Sequence, residues 1–164
     1  MSLVTTSNLY NTTAGIQLPS DAYVIIIRTE WNAAIVNKLD EGCRKVLWEN
    51  KIQSKTITVP GAFEIPFTIK RVWEAHKNKA DKPYAFIALG CVIKGDTPHF
   101  EYVCKAVTDG VLHLNLSLPV PTVFGVLTVD DQQQAEERIG GKHGHKGEEA
   151  AITALKMIQL SLHP

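Results

Sequence analysis

The sequence lacks an excess of charge of either sign, since 17 lysine and arginine residues balance 17 aspartate and glutamate residues. No overall field would attract nucleic acid or an anionic membrane, so we expect neither as a partner. Any anion that the protein binds must therefore be held by local donors. A net charge near zero also offers little electrostatic resistance to self-association.

Cysteine is scarce as well, and its spacing argues against two classes of protein. The three cysteines, Cys43, Cys91 and Cys104, are an odd number and form no Cys-x-x-Cys pair. Such a set disfavours a disulfide framework and a structural zinc site, and reduced thiols suit the cytoplasm. No uninterrupted apolar run approaches the ~20 residues of a membrane helix, and the N-terminus lacks the pattern of a secretory signal. We therefore expect a cytoplasmic protein.

What the sequence does contain is an alternation of short apolar runs and helical segments. Its 164 residues allow one domain with a substantial core, which we place at residues 21–164 after a polar arm at residues 1–20. The predicted strands are 23–27, 55–59, 84–89 and 122–127, and the predicted helices are 33–48, 65–76, 98–116, 131–138 and 147–162. This order predicts an α/β domain in which helices cover a parallel sheet.

Ligands of such sheets bind beyond the carboxyl ends of the strands, and aromatic side chains lie at three of these ends. Trp31, Phe63 and Phe124 could together sandwich a flat heterocycle, although each alone is more typical of a core or rim residue. Glu64 could hold hydroxyl groups or a ring nitrogen, and it could equally cap the following helix.

The segment 90–99 is the first candidate for an anion site. Free backbone amides behind Gly90, at a helix start with Thr97 as N-cap and Pro98 as first residue, would bind an anion. His99 would then exchange protons beside it, although an incidental surface histidine on a capped helix is an equal alternative. The charge of Asp96 would repel a phosphate unless its side chain points away. Cys91 is interpreted as packed rather than nucleophilic, because nothing near it in sequence lowers its pKa.

The segment 138–147 is the second candidate, because it combines cations with glycines. Arg138 offers a planar fork for phosphate oxygens and Lys142 adds a point charge. A solvated turn between two helices is the usual alternative for such a segment, and the spacing of a Walker loop is absent. His143 and His145 have no carboxylate or cysteine at ligand spacing, so we expect no metal site.

The chain is similar to the 6,7-dimethyl-8-ribityllumazine synthase family in three long motifs. These are PGAFEIP at 60–66, ALGCVIKGDTPHFEYV at 88–103 and FGVLT at 124–128. Their order and spacing match that family as far as Arg138, Lys142 and Lys146, and the resemblance covers roughly residues 20–160. The histidines at 143 and 145 are departures, since many members have alanine and asparagine there.

The resemblance implies a fold, an assembly and a reaction. The fold is a flavodoxin-like three-layer αβα sandwich with a four-stranded parallel sheet, and the N-terminal arm is a candidate for an added edge strand. Subunits would form homopentamers with active sites between neighbours. The enzyme would be a transferase that condenses 5-amino-6-(D-ribitylamino)uracil with 3,4-dihydroxy-2-butanone 4-phosphate to 6,7-dimethyl-8-ribityllumazine, phosphate and water, the penultimate step of riboflavin biosynthesis. No metal or organic cofactor is implied, and riboflavin synthase is a possible partner.

The resemblance also assigns roles to individual residues. Substrate contacts fall to Trp31 (pyrimidine stacking), Ala62, Phe63 and Glu64 (ribityl side), Cys91, Val92 and Ile93 (uracil, through their backbone), and Asp96 and Thr97 (phosphate, through the helix start). His99 would transfer protons. Phe124 and Arg138 would come from the neighbouring subunit to cover the ring and to pair with phosphate, and Lys142 would assist near the same pocket.

Two other functions compete with this interpretation. One is a lumazine-binding or flavin-binding module, or a cage protein, of the same fold without turnover. The other is a phospho-acceptor signalling domain, which is disfavoured because no carboxylate cluster follows the first strand. The segment between Arg138 and Lys146 has no insertion relative to the family pattern, which predicts that pentamers assemble further into a hollow icosahedral shell.

Overall fold

The computed structural model describes residues 13–164, in which a parallel sheet is flanked by helices on both faces. Its elements are β1 (Tyr23–Thr29), α1 (Ala33–Glu49), β2 (Gln53–Val59), α2 (Ile65–His76), β3 (Ala85–Ile93), α3 (His99–Ser117), β4 (Thr122–Val129), α4 (Gln132–Glu136), β5 (Ile139–Gly141), β6 (Gly144–His145) and α5 (Lys146–Leu162). A short 3₁₀ turn, Ala62–Glu64, precedes α2. Expectations for residues 1–12 of the arm lie outside the described residues, and residues 13–20 form no strand.

The main sheet has four parallel strands in the order β2-β1-β3-β4. Alternate residues of the inner strands enter two separate cores. Val24 and Ile26 face the core formed with α1 and α5, whereas Ile25 and Ile27 face the core formed with α2 and α3. Inner strands that are buried on both faces read as continuous apolar runs, which is why β1 and β3 could be predicted. The predicted α/β architecture with a parallel sheet is confirmed.

The helices α1 and α5 pack closely because glycines remove side chains at their contact. A Cβ at Gly147 would lie 2.7 Å from the carbonyl carbon of Leu39, which is far inside van der Waals contact. A Cβ at Gly42 would lie 2.7 Å from Nδ1 of His145 and would overlap its ring. The start of α5 therefore rests directly on the backbone of α1.

The structure corrects three predicted boundaries. Strand β3 continues through Ile93 rather than ending at 89, because Gly90 lets it pass Thr29, whose Cγ2 would be 3.2 Å from a Cβ. Helix α3 begins at His99 with Pro98 as N-cap, so the predicted cap at Thr97 was one residue early. Residues 139–145, for which a solvated turn was the alternative to an anion site, form the β5–β6 hairpin.

Candidate active site

A cavity of 620 Å³ opens at the carboxyl ends of β1, β2 and β3. Eight residues that the sequence singled out line it: Trp31, Ala62, Phe63, Glu64, Cys91, Val92, Ile93 and His99. They come from four separate segments of the chain and converge because parallel strands end at the same edge of a sheet.

The corner between β1 and α1 supplies a large exposed aromatic ring. Trp31 is 73% exposed, and its backbone N–H donates to the carbonyl of Pro60 at 3.4 Å. Asn32 follows in the left-handed conformation with φ of 56°, and its Nδ2 donates to the carbonyl of Cys91 at 2.8 Å. The end of β1 is thereby tied to both β2 and β3. Sequence reasoning missed Asn32, although asparagine tolerates the left-handed region better than most residues.

The 3₁₀ turn after β2 presents Phe63 and holds Glu64. Oε2 of Glu64 accepts a hydrogen bond from the backbone N–H of Gly61 at 2.9 Å, and the N–H of Glu64 donates to the carbonyl of Gly61 at 3.2 Å. The Glu64 side chain therefore caps the 3₁₀ turn, while it makes no capping hydrogen bond to the following helix, α2. Among the described residues, no hydrogen bond engages its other oxygen, Oε1, while Phe63 is 62% exposed. This turn can therefore offer one aromatic face and one carboxylate oxygen to a ligand.

Strand β3 extends beyond its neighbour β1 and exposes backbone to the cavity. The β1–β3 ladder ends at the Arg28–Leu89 pair, whereas the β3–β4 ladder continues to Ile93 and Val129. From Gly90 to Ile93, β3 therefore has no strand partner on its β1 side. Backbone donors and acceptors there can recognise the polar edge of a heterocycle.

Cys91 lines the cavity, but its thiol is not suited to act as a nucleophile. Burial raises the pKa of Cys91 to about 11, so the thiol is protonated near neutral pH. A protonated thiol is a poor nucleophile. The structure therefore supports the interpretation of Cys91 as a packed residue.

His99 begins α3 at the rim of the cavity, after an exposed loop that holds Asp96 and Thr97. Its backbone N–H donates to Oγ1 of Thr97 at 3.4 Å. The imidazole is exposed and can exchange protons with a molecule in the cavity. Asp96 and Thr97 lie beside His99 in the chain but do not line the cavity.

Besides Asp96 and Thr97, three predicted residues lie outside this cavity. Phe124 is on the outer strand β4 and lines a separate cavity of 730 Å³ between the end of α3 and the length of α5. Arg138 donates from Nη1 to the carbonyl of Gln134 at 2.7 Å. Nζ of Lys142 lies 3.0 Å from Oε1 of Glu137, and this hydrogen bond lowers the pKa of Glu137. A single chain therefore brings together only part of the predicted site.

The two hairpin histidines have contacts of their own. Nε2 of His143 lies 3.7 Å from Oε2 of Glu137. The Nδ1 atom of His145 accepts a hydrogen bond from the N–H of Glu148 and caps α5. In residues 13–164, no three side chains of the histidine, cysteine, aspartate and glutamate types are grouped as metal ligands would be. No helix in the same range is both long and apolar enough to span a membrane.

Comparison with known proteins gives a consistent result. A family model described as 6,7-dimethyl-8-ribityllumazine synthase matches residues 21–161. The chain is 45% identical over 145 residues to a 6,7-dimethyl-8-ribityllumazine synthase of Parabacteroides distasonis, covering 87% of this chain and 88% of that protein. It is 46% identical over 143 residues to the protein of the same name from Porphyromonas gingivalis, covering 85% and 86%. With the one from Cytophaga hutchinsonii the identity is 47% over 136 residues, covering 81% and 82%.

Proposed function

Because the chain belongs to the 6,7-dimethyl-8-ribityllumazine synthase family, we propose that it is the transferase of that name in riboflavin biosynthesis. It condenses 5-amino-6-(D-ribitylamino)uracil with 3,4-dihydroxy-2-butanone 4-phosphate and releases phosphate and water. The observation that carries this proposal is the cavity at the strand ends, which combines exposed aromatic faces, unpaired strand backbone and a histidine.

Each wall of the cavity suits one part of the uracil substrate. Trp31 stacks on the pyrimidine, and the backbone of Cys91, Val92 and Ile93, in the part of β3 that lies beyond the β1 ladder, contacts its polar edge. Ala62, Phe63 and Glu64 line the ribityl side, where Oε1 of Glu64 accepts a hydrogen bond from a hydroxyl group. Holding the amine in one orientation supplies much of the rate enhancement.

The second substrate binds through its phosphate at the start of α3. Asp96 and Thr97 hold that phosphate through the loop and the first turn of α3, where the positive end of the helix dipole favours an anion. His99 shuttles protons as the imine forms and as phosphate leaves. Because orientation contributes most of the acceleration, His99 assists the reaction and is not indispensable.

The remaining groups come from a neighbouring subunit in a homopentamer. Phe124 covers the ring, while Arg138 and Lys142 neutralise the phosphate charge. This assignment is supported by their separation from the cavity of their own chain and by exposed apolar side chains on α2 and α3. Those side chains are Phe67, Tyr102, Leu112 and Leu116.

Higher assembly and location are extensions of the same proposal. Pentamers associate into an icosahedral shell. Light scattering that finds only pentamer-sized particles across buffers would contradict the shell. A cytoplasmic location agrees with three free cysteines, and riboflavin synthase is a plausible partner because it would consume the product.

The test is a mixing assay of the purified protein with both substrates, in which lumazine absorbance is followed. Wild type should turn over well above the spontaneous background, and Arg138→Ala should lose about a hundredfold or more of that rate. Arg71→Ala is a matched control, because Arg71 is an exposed arginine on α2 outside the cavity. A folded, assembled wild type without turnover would refute the proposal and favour a flavin-binding or cage protein.

A further inference from the structure

The side chain of His145 fastens the β5–β6 hairpin to two helices. Its Nδ1 accepts the N–H of Glu148 at 3.3 Å and so caps α5. The ring rests on α1 at Gly42, the position where a Cβ would overlap it. His145 also pairs with Ile139 across the hairpin. The half-buried imidazole thus contacts α1 and the first turn of α5, while the backbone of His145 pairs with β5.

Of the cations that the proposed function assigns to phosphate, Lys142 lies in the turn of the hairpin and Arg138 directly precedes it. The carbonyl of Arg138 accepts the N–H of Lys146 at 2.8 Å, directly after His145. The N–H of His143 donates to the carbonyl of Glu137 at 2.9 Å, and Gly141 packs against the backbone of Glu137. The placement of Arg138 and Lys142 therefore depends on how firmly this hairpin is held.

We propose that His145 is a positioning residue whose protonation loosens the β5–β6 hairpin and thereby displaces the phosphate-binding cations. The assignment of Arg138 and Lys142 to phosphate rests on the proposed function. A neutral imidazole accepts at Nδ1, whereas a protonated ring has a hydrogen there and can only donate. Protonation would therefore set two donors, the ring and the N–H of Glu148, against each other. The positive end of the α5 dipole further disfavours a cationic cap.

Other charged groups near His145 are mostly paired. On α5, Lys146 pairs with Glu149 at 2.9 Å and Glu148 pairs with Lys45 of α1 at 3.3 Å. Further along α1, Glu41 pairs with Lys38 at 3.1 Å, and Arg44 pairs with Asp40 at 3.2 Å. None of these ion pairs includes a histidine.

The second histidine of the hairpin acts in the opposite direction. On the hairpin side, Glu137 is shared by Lys142 and His143. Protonation of His143 would strengthen its contact with the Glu137 carboxylate and so tighten the hairpin. The acid response expected from His145 must therefore be separated experimentally from that of His143.

Hydrogen exchange followed by mass spectrometry tests the structural step directly. Protection factors, which correct for intrinsic exchange, are compared for peptides within 139–149 at about pH 7.5 and about pH 5.5, on either side of imidazole titration. Wild type should lose about fivefold or more of its protection in acid. His145→Asn should lose none, because asparagine caps a helix at either pH. His143→Gln should respond to acid at least as strongly as wild type.

Turnover tests the functional step with the same variants. In acid, the KM for the butanone phosphate should be about threefold to tenfold higher in wild type than in His145→Asn. At neutral pH the two proteins should have similar KM values. The difference in kcat should be smaller than the difference in KM. Comparison at each pH cancels the titration of the substrate phosphate itself. Equal protection factors or equal KM values in acid would overturn the inference. Absent turnover in wild type at neutral pH would instead refute the proposed function, and the exchange result would still decide whether His145 holds the hairpin.

Discussion

At the scale of single residues, Asn32 connects backbone conformation to the shape of the site. It occupies the left-handed region that asparagine tolerates, and its amide reaches the carbonyl of Cys91. The residue before it, Trp31, is therefore fixed relative to β3. Loss of Asn32 should alter both stability and the aromatic wall of the cavity.

Substitution of Asn32 separates these two contributions. Asn32→Ala should lower the free energy of unfolding by about 2 kcal/mol, about half from the left-handed backbone and half from the lost hydrogen bond. Asn32→Gly keeps the backbone freedom and should cost about 1 kcal/mol. Urea denaturation gives both values. Equal losses in the two variants would show that backbone conformation contributes little.

Cys91 and His99 line the same cavity but should respond differently to truncation. Since the pKa of Cys91 is raised to about 11, its thiol stays protonated below about pH 9, and Cys91→Ala should leave the pH profile of kcat unchanged in shape. His99→Ala should lower kcat by about tenfold to a hundredfold, as expected for a lost proton-transfer group. Steady-state kinetics of both variants from about pH 6 to about pH 9 checks these two predictions. If the pH profile of Cys91→Ala lost its basic limb, the thiol of Cys91 would take part in the reaction after all.

At the scale of elements, the contact of α1 with the start of α5 depends on a glycine and a histidine. Gly42→Ala should lower stability by about 1–3 kcal/mol, because the new methyl group overlaps His145. In the His145→Asn background the same change should be neutral or stabilising by up to about 1 kcal/mol, since alanine favours a helix over glycine. Thermal or urea unfolding of wild type, the two single variants and the double variant gives the coupling energy of a double-mutant cycle. Additive effects would show that the ring does not occupy the space over Gly42.

Regular elements could be predicted from the sequence where the signal is local. The bounds of α2, Ile65–His76, follow from apolar periodicity and from a proline tolerated in the first turn. The extension of β3 could not be predicted, because glycine usually marks a turn and only pairing with β4 shows otherwise. The β5–β6 hairpin was also missed, since its strands have only three and two residues and its long-range contact, His145 with Gly42 of α1, leaves no local pattern.

The candidate site was predictable to a similar degree. Residues such as Trp31 and His99 could be found because strand ends can be located from sequence and chemistry is expected there. Asn32 was missed because its value lies in a positive φ and a contact with Cys91, 59 residues along the chain, neither of which leaves a pattern in the sequence.

At the scale of the whole molecule, a divided site predicts complementation between defective subunits. One variant combines Trp31→Ala with His99→Ala, and the other carries Arg138→Ala. Coassembly of the two in equal amounts should restore about a quarter of wild-type turnover, because each shared site needs one intact side from each of two chains. Mixing Arg138→Ala with Lys142→Ala is the control, since every site then lacks one cation. Recovery no greater than in this control would place the whole site within one chain.

The part of β3 that extends beyond β1 limits how far mutation can change the binding of a ligand there. Between Gly90 and Ile93 the groups that face the cavity include backbone N–H and carbonyl groups. Every amino acid has both of these groups except proline, which lacks the N–H. Drift at Cys91 or Val92 would alter packing while leaving those groups in place. An inhibitor that competes for them would therefore meet few single-base routes to resistance.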